Sequence, residues 1–392
     1  MATDLEEEIC LSCFLKPHSS TAAIYGWSFF HPCFYETAKT NYFDTIYTFL
    51  TAFIEFSYWE HFILVLLMTI PYVCEKVPCF SWYSIINYNS FVRFAIAIFA
   101  LIVALNFSII KRTKLTPILK MKGSNFFPRQ ELRDKIHSHR KIAVFIVIFM
   151  TIVIQVLNVF VMYPSIENRK KFQYEALFCS MEVGIWICIF VGGFIHFTYL
   201  LNLIVITVMK LFKNVSDDLY FVEKNDDDLR LKLRVTMTQH AELWNFTTQF
   251  NGVFNYPLAI LYGCFLVETS LLYYITAFVE MEFICKVLAY IINCLFTCGC
   301  LLMGFRLSTF TSIMQTSFQD IRRFADCDLS LEEKLKILNF MKRFGKASLC
   351  LTINGYFNVT KKFPIKMAST LHSMFSGILR LSGVSEDKIS CQ

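Results

Sequence analysis

Six apolar stretches, roughly 44–73, 90–110, 142–163, 178–209, 252–279 and 283–305, leave this chain few ways to fold. Each can cross the ~30 Å hydrocarbon core of a bilayer as a helix rising about 1.5 Å per residue. A shorter seventh stretch follows at about 364–381. Apolar residues make up 55% of the 392 and charged residues only 17%, and there are 42 Phe, so a soluble fold would lack the polar surface to cover such a core. The expectation is an all-α membrane protein with seven transmembrane helices and a single domain spanning 1–392.

Basic residues set its orientation. Residues 111–141, between the second and third stretches, hold ten lysines and arginines against two acids. Six more follow the fourth stretch, and ten lie in 306–362. The alternate loops carry only Lys76, Arg169, Lys170 and Lys171. Cytoplasmic loops collect positive charge, so the basic side is the inside, the N-terminus is cytoplasmic and the C-terminus extracellular. A G-protein-coupled receptor runs the other way, and its first, third and fifth loops would be the basic ones. Arg93 and Lys286, near the outer ends of spans two and six, do not alter the balance.

The +6 net charge is mostly this sidedness and points to no nucleic-acid partner. Met1–Cys10 carries Asp4, Glu6, Glu7 and Glu8 without a basic residue, so insertion is expected through an internal span and not through a secretory signal. Of the 15 cysteines only Cys74, Cys79 and Cys179 fall on the oxidising side, and three cysteines do not choose a pairing. The sequons at Asn214, Asn245 and Asn358 fall inside and that at Asn106 within a span, so none is expected to carry glycan.

Catalytic signatures are missing. With 13 glycines there is no phosphate-cradling loop or dinucleotide fingerprint, and the Cys10–Cys13 pair has no second pair or histidine at a zinc spacing. No enzyme activity and no cofactor is implied. A transporter would want charges deep in its spans, and the spans hold few: Glu55, Glu60 and His61 in the first, Glu268 in the fifth. Glu60 and His61 read equally well as a functional pair or as a buried hydrogen-bonded one. His240 and Glu242 read as a solvated helix surface.

Helical pattern continues past the membrane. The flanks 205–222 and 229–250 keep apolar periodicity as charge rises, with Asp217, Asp218, Asn225, Asp226, Asp227 and Asp228 as a solvated break between them. Ser330 and Glu333 have capping-box spacing at the start of a helix over 330–349, with Leu335, Ile337, Leu338 and Met341 as its apolar face. In the last span Lys366, Ser369, Thr370, Ser373, Ser376, Gly377 and Arg380 recur at steps of three and four and share one face. Such a stripe either packs closely on another helix or lines water.

The segment Leu351-Thr-Ile-Asn-Gly-Tyr-Phe357, then Asn358-Val-Thr-Lys-Lys and Ser373-Met-Phe-Ser-Gly-Ile-Leu-Arg-Leu381, resembles the C-terminal signature of the insect chemoreceptors. That family carries T-x-G-(F/Y)-F before its pore helix and (T/S)-Y-x-x-x-x-x-Q-(F/L) within it. Thr352, Gly355, Tyr356, Phe357, Ser373 and Leu381 match. Met374 stands where the family has Tyr, and Arg380 where gustatory receptors and the odorant coreceptor have Gln. Odorant receptors fit best, since their ligand-tuned members relax this motif; gustatory receptors are the nearest alternative, and a G-protein-coupled receptor or transporter a more distant one.

The resemblance implies an odorant-gated, non-selective cation channel in the plasma membrane of sensory neurons. Its four subunits include the coreceptor, its cytoplasmic helical extensions form an anchor for the tetramer, and the last span lines the pore through Ser369, Ser373, Ser376, Gly377 and Arg380. The family's apolar gate position falls on Gly377. It also implies a small, volatile organic ligand held among the outer halves of spans two to six, by Phe91, Phe94, Ala95, Ile98, Leu157, Phe160, Met181, Ile185, Trp186, Thr269, Tyr273 and Tyr274.

Overall fold

The computed structural model describes residues 6–10, 15, 20–26, 41–68, 90–112, 118–122, 129–168, 173–220, 229–278, 283–323, 329–345, 352–353, 357–358, 360 and 362–381. Among these, eight helices dominate: α1 (Asn41–Met68), α2 (Ser90–Arg112), α3 (Arg129–Asn168), α4 (Gln173–Tyr220), α5 (Leu229–Phe278), α6 (Phe283–Arg323), α7 (Leu331–Gly345) and α8 (Phe363–Leu381). Four of them are long and apolar enough to cross a membrane, with candidate spans at Thr45–Leu67, Asp134–Val153, Gly184–Asp217 and Ala289–Arg322. Phe265–Phe278 of α5 is a shorter apolar helix.

Apolar side chains point outward as well as inward. Phe49, Phe53, Phe56 and Ile63 on α1, Phe145, Ile148 and Ile152 on α3, and Leu301, Leu302 and Phe305 on α6 are all exposed. In water this belt would drive aggregation; in hydrocarbon it is a matched surface. Three of the buried hydroxyls are satisfied locally: Thr207, Thr247 and Thr311 donate to the carbonyls of Leu203, Leu243 and Leu307 one turn back. Each of these threonines therefore enters the apolar core without an unsatisfied donor.

Two helices far exceed a bilayer. At about 1.5 Å per residue, α4 and α5 are each over ~70 Å long against a ~30 Å hydrocarbon core. The expected flanks 205–222, as far as Tyr220, and 229–250 are continuous with the apolar parts of α4 and α5. Leu233 of α5, Ile321 of α6 and Leu329 and Ile337 beside and within α7 form a separate small core, joined by Met237, Phe340 and Met341. Ser330 Oγ sits 3.4 Å from the Glu333 amide while the Ser330 amide donates to Glu333 Oε2 at 3.1 Å, a reciprocal cap on α7. Of the apolar face expected on α7, Ile337 is buried and Met341 half-buried, but Leu335 and Leu338 are exposed along with Leu331.

The purely helical expectation needs one amendment. Strand β1 (Glu6–Cys10) pairs antiparallel with β2 (Ile118–Lys122), setting Glu6 opposite Lys122 and Glu8 opposite Lys120. The pairing ties the N-terminal segment to the basic loop between α2 and α3. A second pair, β3 (Thr352–Ile353) with β4 (Phe357–Asn358), brackets residues 354–356 of the C-terminal signature. Periodicity had little to work with here, since two- and five-residue strands are too short to show it.

The N-terminal segment also enters the bundle. Leu15 and Ala22 are wholly buried, and Gly26 takes φ 81°, a left-handed turn that glycine adopts freely. Tyr25 stacks on His196 (5.3 Å between centroids, 26°) and covers Gly192 of α4, where any side chain would collide with its ring. The main core extends from there through α1, α2 and α4 to α5 and α6.

Candidate functional site

Phe190, Phe194 and Thr198 follow one another at four-residue steps on α4, and Phe265 and Phe296 face them from α5 and α6. The Phe194 ring meets Phe265 edge-on at 4.8 Å and stacks with Phe296 at 5.9 Å and Phe190 at 6.1 Å. Beside this cluster lies a cavity of about 220 Å³, lined also by Ile146 and Met150 of α3 and by Leu295, Gly299 and Leu302 of α6. Its polar lining is limited to Thr198, Tyr199 and Cys298. The Thr198 hydroxyl donates to the Phe194 carbonyl at 2.9 Å, which leaves its lone pairs to accept from a guest. Such a space favours an apolar or aromatic molecule with one hydroxyl or carbonyl, below the ~300–1,000 Å³ usual for drug-sized ligands.

Among the described residues, none of those expected to hold ligand lines this cavity. Ile98, Met181, Ile185 and Tyr273 are exposed. Trp186 is half-buried and stacks with Phe190 at 5.8 Å and 9°, one turn beyond the cavity wall. Thr269 is wholly buried, and Tyr274 packs with Leu271, Ile275, Phe375, Ile378 and Leu379, between α5 and α8. The side chains of Phe91, Phe94, Ala95, Leu157 and Phe160 fall outside the described residues, as do Cys74, Cys79 and the Cys179 side chain. The four-residue recurrence of Trp186, Phe190, Phe194 and Thr198 was the sequence signal for the cavity.

Tyr273 links that wall to the last helix. Its hydroxyl lies 3.2 Å from Thr297 Oγ1, between cavity residues Phe296 and Cys298, and its ring meets Phe375 of α8 at 6.2 Å. On α8, Phe363, Met367, Leu371 and Phe375 face the bundle, while Lys366, Ser369, Ser373 and Arg380 are exposed and Thr370, Ser376 and Gly377 are half-buried. The Thr370 and Ser373 hydroxyls bond the carbonyls of Lys366 and Ser369. A side chain at Gly377 would meet nothing within 4 Å. Lys366, Ser369, Ser373 and Arg380 are thus on the open side of α8, whereas Thr370 turns toward α5, where it hydrogen-bonds Tyr262.

The ionisable residues take varied roles. Glu55 accepts from Lys111 and Ser108, each at 2.7 Å, pinning α1 to α2. His61 is buried and lies against Glu182 of α4. His240, expected on a solvated surface, is instead wholly buried, its ring edge-on to Phe212 of α4 and Phe340 of α7. The extra helix α7, packing over this face, is what excludes water, and burial pushes the imidazole down to about 4.

No family model matches the chain, and no curated protein is similar enough to count as a relative. Solved structures do match. The insect olfactory receptor OR5 from Machilis hrabei in complex with eugenol aligns over 95% of this chain and 98% of its own, with a TM-score of 0.59 at 12% identity. The same receptor without that ligand aligns over the same shares with a TM-score of 0.55, also at 12% identity. The chain therefore has, from end to end, the fold of an insect olfactory receptor.

Proposed function

We propose that this chain is an odorant receptor, the ligand-sensing subunit of an odorant-gated, non-selective cation channel that assembles with the odorant coreceptor as a heterotetramer. The observation that carries the proposal is the aromatic cavity among α3, α4, α5 and α6, set in a chain whose whole length follows the olfactory-receptor fold. A relative of that fold holds eugenol, a small phenol. The ligand here is a small organic volatile, held by burial and ring contacts with Thr198 or Tyr199 orienting one polar group.

A multi-pass membrane protein is supported by the four long apolar helices and the outward Phe and Leu belt. The finer reading has seven spans, α1 to α6 and α8, in one domain, with the N-terminus inside, in the plasma membrane of sensory neurons. The β1–β2 pair supports it, because it holds the N-terminal segment on the side of the most basic loop. Leu331, Leu335 and Leu338, exposed along α7, suit burial against neighbouring subunits in a cytoplasmic anchor. Ser369, Ser373, Ser376, Gly377 and Arg380 line the pore, and Thr297, Tyr273 and Phe375 carry the effect of ligand from the cavity to α8.

Cells given this chain with the coreceptor should pass cation current in response to members of a broad panel of small volatiles. Cells given this chain alone should not. Current evoked from this chain alone by non-volatile tastants, with no response to volatiles beside the coreceptor, would replace this reading with the gustatory one. Tags at residue 2 and in 111–141 should stain only after permeabilisation, and a tag after Gln392 without it.

A further inference from the structure

We propose that Glu60, His61 and Glu182 form a binding site for a divalent transition-metal ion, with Zn²⁺ the best match, where α1 meets α4. One nitrogen and two carboxylate oxygens, one from each residue, lie within 4.8 Å of one another. Acidic groups that close are common without a cation, so the imidazole decides. His61 is 2% exposed. Its Nδ1 is 2.9 Å from the Ser57 carbonyl, which can only accept, so Nδ1 carries a proton there. Nε2 then points toward Glu182, 3.0 Å from Oε1, yet forms no hydrogen bond with it.

In the neutral ring this arrangement sets a nitrogen lone pair against a carboxylate oxygen in a buried position, which is repulsive. A cation bound by both removes the conflict. The Ser57 bond fixes the tautomer, and Trp186, lying flat on the imidazole at 4.5 Å and 8°, fixes the ring plane. Metal-binding histidines are oriented by this kind of support. Glu60 is exposed and Glu182 partly so, which leaves an approach for the ion and positions for water. An imidazole with two carboxylates suits Zn²⁺ better than Ca²⁺ or Mg²⁺, which take oxygen ligands.

The site also has a path to the cavity. His61, Trp186, Phe190 and Phe194 form one continuous series of stacked rings, and the last two line the cavity wall. If the odorant reading holds, bound Zn²⁺ should shift agonist potency; the binding itself does not depend on that reading.

The test is ZnCl₂ titrated calorimetrically into the full-length chain in lipid nanodiscs. One Zn²⁺ per chain is expected, with affinity reduced about tenfold or more in His61→Gln and Glu182→Gln and several-fold in Glu60→Gln. Millimolar Mg²⁺ should not compete. The double variant Cys294→Ser/Cys298→Ser, which removes the exposed thiol pair on α6, should bind as the parent does. Should His61→Gln fail to fold, Glu60→Gln and Glu182→Gln decide, since each keeps the shape of the side chain. Unchanged affinity in those two, or loss of binding in the cysteine variant, overturns the site and leaves His61–Glu182 as an ion pair. Zn²⁺ binding without any shift in agonist potency in the heteromer would leave the site standing and remove only its link to the cavity.

Discussion

Helices α4 and α8 are both apolar with hydroxyls interspersed, and they end in opposite situations. From Val191 to Val215, α4 is packed almost all round, by the N-terminal segment, by α3 and by α6, and its threonines satisfy themselves on their own backbone. α8 packs one face through Phe363, Met367 and Phe375 and leaves Ser369, Ser373 and Arg380 outside. A single chain completes the first helix and not the second. Composition alone does not separate them; the difference lies in how wide an apolar sector each helix shows.

Glycine substitutions test that contrast most severely. Gly192→Val would put a side chain into the Tyr25 ring, which the His196 stack prevents from moving aside, whereas Gly377→Val enters open space. Overpacking costs about 1–3 kcal/mol, so Gly192→Val should lower the melting temperature of the purified chain by several degrees or abolish expression. Gly377→Val should leave it unchanged. Equal melting temperatures would mean that the Tyr25 segment does not pack on α4 as described.

The cavity gives the next largest effect. Phe194→Ala removes the ring that touches Phe190, Phe265 and Phe296, and a buried aromatic is worth about 1.5–3 kcal/mol, so agonist potency should fall about tenfold or more. Single-channel conductance should stay the same. Tyr274→Ala, in the α5–α8 cluster, should instead alter the maximal response more than potency. The reverse pattern would move the ligand outward to the span ends.

How much of this was legible follows the same division. Helices α1 to α6 and α8 could be read because each apolar run exceeds ten residues, and the Ser330–Glu333 cap carries its own spacing. Which residues line the cavity could not be read, because depth in a bundle depends on how helices are tilted and staggered, which periodicity does not encode. Met181 and Ile185 look no different in sequence from Phe190 and Phe194. His240 was misread for a related reason: its own helix is polar, and what buries it is α7, about a hundred residues away.

His240 makes the packing of α7 against α4 and α5 sensitive to pH. The folded chain keeps the imidazole neutral down to about 4, while the unfolded chain protonates it near 6.5, so stability is full above that range and lost as pH falls through it. The loss approaches about 3 kcal/mol by pH 4. His240→Leu should flatten the fall in melting temperature between pH 7.5 and 5 relative to the parent. Parallel curves for the two proteins would show that the imidazole is wetter than its packing implies.

The smallest effect belongs to the exposed side of α8 and bears on what the partner supplies. Arg380 is the one basic residue in the last turn of α8 and is exposed. A homotetramer would ring its outer pore mouth with arginines, a positive potential that repels cations, and would carry glycine where an apolar seal is needed. In the proposed heteromer, coreceptor subunits with Gln and a bulky apolar residue at those positions would dilute both. Arg380→Gln should therefore raise heteromer cation current about twofold, with a reduced dependence on ionic strength because the charge acts through a screened field. Gly377→Val should lower ligand-independent leak. Robust ligand-gated current from this chain expressed alone would refute the division of labour and leave Arg380 as an anchor whose stem lies along the helix and whose charge reaches the outer interface.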